Sequence, residues 1–112
     1  MDANNQTSVV YICSRYSGDV KHNTEMARRY TRLALDKGCT PITPHLYLPQ
    51  VLSEERERDK AINADLSLLE RTDEVWVCGD TISDGMACEI GHAKRLGKTI
   101  RYIREEEINA RN

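Results

Sequence analysis

Residues 74–93 set the architecture. Glu74-Val75-Trp76-Val77-Cys78 is a short apolar run, rich in valine, with the length of a buried strand. The stretch that follows it is small and polar through Gly79, Asp80 and Ser83-Asp84-Gly85. It then continues as Met86-Ala87-Cys88-Glu89-Ile90-Gly91-His92-Ala93, which reads as a helix. A strand, a short loop and a helix in this order are one half of a parallel crossover unit.

The rest of the chain repeats the alternation. Val9-Val10-Tyr11-Ile12-Cys13 reads as a first strand, residues 14–19 as a loop, and residues 21–37 as a helix. Met26, Tyr30, Leu33 and Ala34 share one face of that helix, and Gly38 stops it. Residues 39–43 read as a second strand whose proline, Pro41, suits a sheet edge. Residues 44–49 form a loop of apolar character. Ser53, with Arg56 and the acids Glu54 and Glu55, is a serviceable start for a helix over 53–71, with Ala61, Ala64, Leu68 and Leu69 facing inward. Thr72 and Asp73 break it. Residues 85–96 are the third helix, Gly97 its stop, and residues 99–103 the fourth strand; the charged tail from Arg104 is expected to fray. The order β-α-β-α-β-α-β predicts a small Rossmann-like (flavodoxin-like) three-layer α/β fold. Its parallel sheet of about four to five strands has the order 2-1-3-4. The whole chain, 1–112, is then one domain with its core at 8–103.

Composition narrows the function classes. The formal net charge is -2, with 16 lysines and arginines spread along the chain, so general affinity for nucleic acid is not expected. No apolar stretch approaches the ~20 residues that span a membrane, and the polar residues 1–8 lack the apolar segment of a signal peptide. Cys13, Cys39, Cys78 and Cys88 have neither disulfide-framework nor metal-site spacing. They read as reduced thiols of a cytoplasmic protein. His22 and His92 carry little signal, and no histidine and cysteine grouping has zinc spacing.

The predicted strand order has its switch point between the first and third strands, so loops 14–19 and 80–85 should meet in one cleft. Four segments are candidates to line it. Ser14, Arg15, Tyr16, Ser17 and Gly18, beside Tyr11, offer backbone amides, hydroxyls and a guanidinium suited to a phosphate or sugar. An ordinary polar turn has the same composition. Asp65 interrupts an otherwise apolar helix face, and a buried carboxylate is either paired or used; the plain alternative is that it faces solvent beside Ile62 and Leu66. In the third segment Gly85 allows a ligand close approach, and Asp80, Ser83 or Asp84 can cap the helix. Glu89 lies among small residues near the positive end of that helix, which should keep it ionised; the plain alternative to a functional role is a solvated helix residue. An anionic carboxylate in a glycine-lined cleft is the nucleophile that glycosyl transfer needs. The fourth segment is His45, which is either structural or a ligand contact.

Three motifs together resemble the nucleoside 2-deoxyribosyltransferase-like superfamily. They are Val10-Tyr11-Ile12-Cys13-Ser14, the stretch from Asn63-Ala64-Asp65-Leu66 to Asp73-Glu74-Val75, and Asp84-Gly85-Met86-Ala87-Cys88-Glu89-Ile90-Gly91-His92-Ala93. That group includes deoxynucleoside 5'-monophosphate N-glycosidases and cytidine monophosphate hydrolases. The likeness is closest to its small uncharacterised bacterial and phage members, and runs from Val9 to Ile103.

The resemblance implies cleavage or transfer of the N-glycosidic bond of a (deoxy)nucleoside or its 5'-monophosphate. Glu89 matches the glutamate that attacks the anomeric carbon. Asp65 matches the aspartate that contacts the sugar or helps protonate the leaving base, and Tyr11 the tyrosine that orients the nucleophile. Ser14, Arg15, Ser17 and Gly18 match the loop near a 5'-phosphate. Asp84 lies near a second acid of the transferases, at a different spacing, followed by Gly85 and Met86. The first loop is less glycine-rich than in phosphate-binding relatives, with Arg15 and Tyr16 where those are smaller. The chain is shorter than the transferases, in which a neighbouring subunit's C-terminal residues help complete the site. No metal or organic cofactor is implied. A homodimer or higher homo-oligomer is expected, since the apolar loop Leu46-Tyr47-Leu48 would gain by burial against a partner. The alternative function is a non-catalytic module that binds a nucleotide or nucleotide-derived signal.

Overall fold

The computed structural model describes residues 7–109; the outermost residues at both ends, including 1–6 of the polar leader, lie outside the described residues. Four strands, β1 (Val9–Cys13), β2 (Thr40–Ile42), β3 (Glu74–Cys78) and β4 (Thr99–Ile103), alternate with helices α1 (Val20–Asp36), α2 (Arg58–Glu70) and α3 (Asp84–Arg95). A short helix, α4 (Glu105–Asn109), follows β4. The strands form one parallel sheet in the order β2-β1-β3-β4, as the alternation predicted. No helix among the described residues is long and apolar enough to cross a membrane.

The period of two in β1 and β3 divides the core into two layers. Val10 and Ile12 of β1, with Trp76 and Cys78 of β3, pack under Tyr30, Leu33 and Ala34 of α1. Tyr11 and Cys13, with Val75 and Val77, pack under Leu69 of α2 and Met86, Ile90 and Ala93 of α3. The central strands are therefore apolar on both faces, which explains why they read as continuous apolar runs rather than alternating ones. Met26, expected in the α1 face, is only half-buried at its margin. Pro41 pairs with Val10 on the edge strand β2, where its missing N–H leaves no central ladder bond unmade. Gly38 (φ +82°) and Gly97 (φ +71°) end α1 and α3 in the left-handed conformation that favours glycine. All four cysteines are free thiols; Cys13 and Cys78 are buried, and Cys88 is exposed.

Three boundaries differ from the sequence expectation. Residues 44–50 are not a featureless loop but two 3-10 turns, Pro44–Leu46 and Leu48–Gln50. Ser53 does behave as a cap: its Oγ accepts from Arg56 N at 3.1 Å, and Glu57 Oε1 accepts from Ser53 N at 3.0 Å. These bonds close a turn over 54–57, and the regular helix begins only at Arg58. The central stripe of α2 is Ala61, Asp65 and Leu69, four residues apart, while Ala64 and Leu68 flank it half-buried. The third difference is the tail. Residues 105–109 are helical because Asp80 Oδ1 accepts from Glu105 N at 3.0 Å and Ile108, 3% exposed, packs into the α1 layer.

Candidate active site

The loops that follow β1 and β3 meet at the carboxyl ends of the strands, as the switch-point argument requires. Arg15 Nη1 donates to Thr81 Oγ1 at 3.1 Å and ties the two loops together. Beside them opens a cleft of about 750 Å³, whose walls come from both loops, the turn at His45 and the exposed end of α2.

Its floor is built from three elements. Glu89 lies on the inward stripe of α3, with Met86, Ile90 and Ala93, so folding carries it under the sheet; it is 6% exposed. Tyr11 lies on the face of β1 that packs against α3, and its Oη donates to Glu89 Oε2 at 2.8 Å. Cys13, two residues along the same face, donates its thiol to Met86 O at 3.9 Å. Asp65 comes in from α2, 7% exposed, and lies against Glu89; it does not face solvent. Asp65 lines the cleft, and its buried Oδ1 has no hydrogen-bond partner among the described residues. That pattern suits an atom reserved for a ligand.

Electrostatics separate the two carboxyl groups. Burial raises the pKa of Glu89, opposed by the hydrogen bond it receives from Tyr11 and by the neighbouring Cys13 and Asp65. The helix N-terminus therefore does not by itself settle the ionisation of Glu89, because burial outweighs the contacts that favour its charge. Burial, and then the charges of Glu89 and Glu54, push Asp65 up to about 8. Glu89, with Tyr11 donating to it, ionises first, and its charge holds the proton on Asp65. Burial also keeps Tyr11 protonated and thus a donor.

Ser14, Arg15, Ser17, His45, Asp84, Gly85 and Met86 all border the cleft, whereas Gly18 does not. Gly18 instead holds φ +97° at the turn into α1, whose cap is Asp19 Oδ1 accepting from His22 N. Ser14 Oγ, just past the end of β1, is buried and has no hydrogen-bond partner among the described residues. His45 Nε2 lies 3.1 Å from Ser14 O; a carbonyl only accepts, so Nε2 carries the hydrogen. Burial lowers the His45 pKa, which keeps the ring neutral, and the Tyr16 ring packs tilted against it with centroids 5.2 Å apart. Of the possible caps on α3, Ser83 is the one used: its Oγ accepts from Met86 N at 3.2 Å. Gly85 leaves room at the cleft wall, since a Cβ there would meet nothing within 4 Å.

Sequence reasoning missed Glu54, Arg58 and Ile82, which also border the cleft. The first two carried a signal. Glu54, Arg58, Ala61 and Asp65 follow helical spacing back from the aspartate, so one face that includes Asp65 includes them. No group of three or more histidine, cysteine, aspartate or glutamate side chains is placed to hold a metal ion among the described residues.

The fold is shared with solved enzymes. A 2-deoxyribosyltransferase from Bacillus psychrosaccharolyticus, described as a biocatalyst for the synthesis of nucleosides, superposes with a TM-score of 0.68 at 21% identity. The match covers 87% of this chain and 72% of that one. A 2-desoxiribosyltransferase from Leishmania mexicana superposes with a TM-score of 0.67 at 16% identity, and the match covers 87% of this chain and 64% of that one. The chain thus spans under two thirds of the Leishmania enzyme. No curated protein matches the sequence. At these identities the likeness establishes the α/β fold and its 2-1-3-4 sheet. The match to a family pattern over residues 8–103 places the chain: it belongs to the family described as Domain of unknown function (DUF7768).

Proposed function

We propose that this protein cleaves or transfers the N-glycosidic bond of a (deoxy)nucleoside or its 5'-monophosphate, with Glu89 as nucleophile, Asp65 as general acid and Tyr11 as the group that orients Glu89. The observation that carries the reading is the buried bond from Tyr11 Oη to Glu89 Oε2, with Asp65, its carboxyl pushed up to about 8, beside the same carboxylate. One oxygen of Glu89 is held, so the other can be aimed at the anomeric carbon. In the first step the Glu89 oxygen forms a bond to C1', the C1'–N bond breaks, and the proton of Asp65 moves to the leaving base. In the second, water or an acceptor base attacks C1' and gives its proton to Asp65, which frees Glu89. The bases need no metal for this, because protonation of the leaving nitrogen relieves its developing charge.

Support also comes from the fold shared with 2-deoxyribosyltransferases. Ser14, Arg15, Ser17, His45, Asp84, Gly85 and Met86 are the proposed substrate contacts. A cytoplasmic homodimer or higher homo-oligomer is part of the reading, supported by Tyr47 and Val51, which stand exposed in the turns between β2 and α2. The deciding experiment is incubation with ribo- and deoxynucleosides and their 5'-monophosphates, followed by chromatography for free base. Release that disappears in Glu89→Ala, with the fold kept, is the expected result. Labelled acceptor base incorporated into nucleoside would identify a transferase. Binding without release from any substrate would refute the enzyme and leave a nucleotide-binding module.

A further inference from the structure

A second cavity, of about 220 Å³, opens in the other layer of the fold. Met26 and Tyr30 of α1 and Cys78 of β3 line it, and these belong to the α1 side of the sheet. Glu89, Asp65 and Tyr11 do not line it, so its ligand is independent of the glycosyl-transfer reading. Ser14 is a further lining residue. Ser14 Oγ and Tyr30 Oη, on residues 4% and 2% exposed, are buried with no hydrogen-bond partner among the described residues. Two orphaned hydroxyls at one cavity call for a ligand, since each costs free energy until something pairs with it. Gly79, also in the wall, holds φ +109°, and a Cβ there would stand 3.8 Å from Tyr30 Oη. The glycine thus leaves the space beside that hydroxyl free of side-chain atoms.

Burial raises the pKa of Tyr30 and of Cys78, so phenol and thiol stay protonated and neutral. A full charge seated beside neutral hydroxyls would lose its hydration for little return. The charged side chains of the cavity have both signs, Arg15 against Asp80 and Glu105, and favour neither a cation nor an anion. A hydroxyl both donates and accepts, so two of them suit a ligand that carries an N–H and a C=O side by side. The space is smaller than the roughly 300–1,000 Å³ that holds drug-sized ligands, which limits the ligand to about one ring. We propose that this cavity is a second small-molecule site, which takes an uncharged one-ring lactam, the class of a free pyrimidine base, through Ser14 Oγ and Tyr30 Oη.

The test titrates the full chain with uracil and follows backbone amides by NMR. Asn23, Gly79 and Glu105 report on this cavity, and Ile62, Gly85 and Cys88 on the main cleft; Ser14 and Arg15 line both and are left out. Uracil should shift the first set. Two analogues, 1,3-dimethyluracil, which lacks the N–H groups, and 6-carboxyuracil, which is an anion, should each bind about tenfold more weakly. Tyr30→Phe should weaken uracil by about tenfold with Tm kept or raised, because the hydroxyl it removes has no partner among the described residues. No shift of the first set up to roughly 10 mM uracil, or shifts confined to the second, overturns the proposal. Equal binding of either analogue overturns the ligand class. An affinity that Tyr30→Phe leaves unchanged overturns the site, and a lowered Tm beside it would assign the hydroxyl to ordered water.

Discussion

Replacing Asp65 with asparagine should stabilise the protein at alkaline pH and do little at acid pH. The folded state holds Asp65 protonated up to about 8, because burial and the charges of Glu89 and Glu54 penalise its carboxylate; in the unfolded chain it ionises near the ordinary 3.8. Its folded pKa is raised, so the stability it allows is fully present below about pH 4 and is lost as pH rises toward 8. The limit is ~1.4 kcal/mol per pH unit, or about 4 kcal/mol between pH 5 and 8. Asp65 borders an open cleft, and solvent there screens its carboxylate, which lowers the expectation to about 2 kcal/mol. Asparagine has the same shape, can donate to Glu89 and never ionises. For a domain of this size that difference is roughly 8 °C in Tm. Thermal melts of both proteins at pH 5, 6.5 and 8 measure it, and subtracting one protein from the other removes common contributions such as that of neutral His45. The advantage of Asp65→Asn should grow with pH. A constant offset, or an advantage that shrinks as pH rises, would refute the placement of Asp65 as a buried neutral acid beside a charged Glu89.

Three further outcomes follow from the same geometry. Tyr11→Phe removes the donor at 2.8 Å from Glu89 and should slow base release by about 10- to 100-fold, the worth of a charge-assisted bond, while circular dichroism stays unchanged. The pH dependence of kcat/KM should be bell-shaped: the acid limb lies above the usual glutamate range because burial raises Glu89, and the alkaline limb lies near 8, where Asp65 loses its proton. An activity still rising beyond pH 9 would exclude Asp65 as the acid. Ile108→Ala should cost about 2–3 kcal/mol in chemical denaturation, since Ile108 is buried against the α1 layer; a cost near zero would mean that the tail contributes nothing.

Much of the site was legible before the fold because its parts break local patterns. Asp65 interrupts an apolar stripe, and Glu89 follows a small-residue helix entry. The ionisation of Glu89 was not legible. It depends on the balance between burial and the hydrogen bond from Tyr11, which lies 78 positions away in the chain. Glu54 and Arg58 were overlooked for a related reason. Each looks like an ordinary solvated charge at the start of a helix, and only the packing of α2 beside α3 turns that end toward the cleft.

By itself the sequence determined the sheet. The bounds of β1 and β3 coincide with their apolar runs, β4 falls on the expected residues 99–103, and the alternation of strands with helices implied parallel pairing and the 2-1-3-4 order. Such runs are local signals: a strand buried on both faces must be apolar at nearly every position, whatever its neighbours are. Tertiary structure decided what local signals do not contain. The turn that starts at Ser53 is not continued as regular helix until Arg58, and the charged tail becomes helix because Asp80 caps it and a groove beside α1 receives Ile108. The proton on Asp65 was decided in the same way. Desolvation and Coulomb repulsion exist only once folding has brought two carboxyl groups from different helices together out of water.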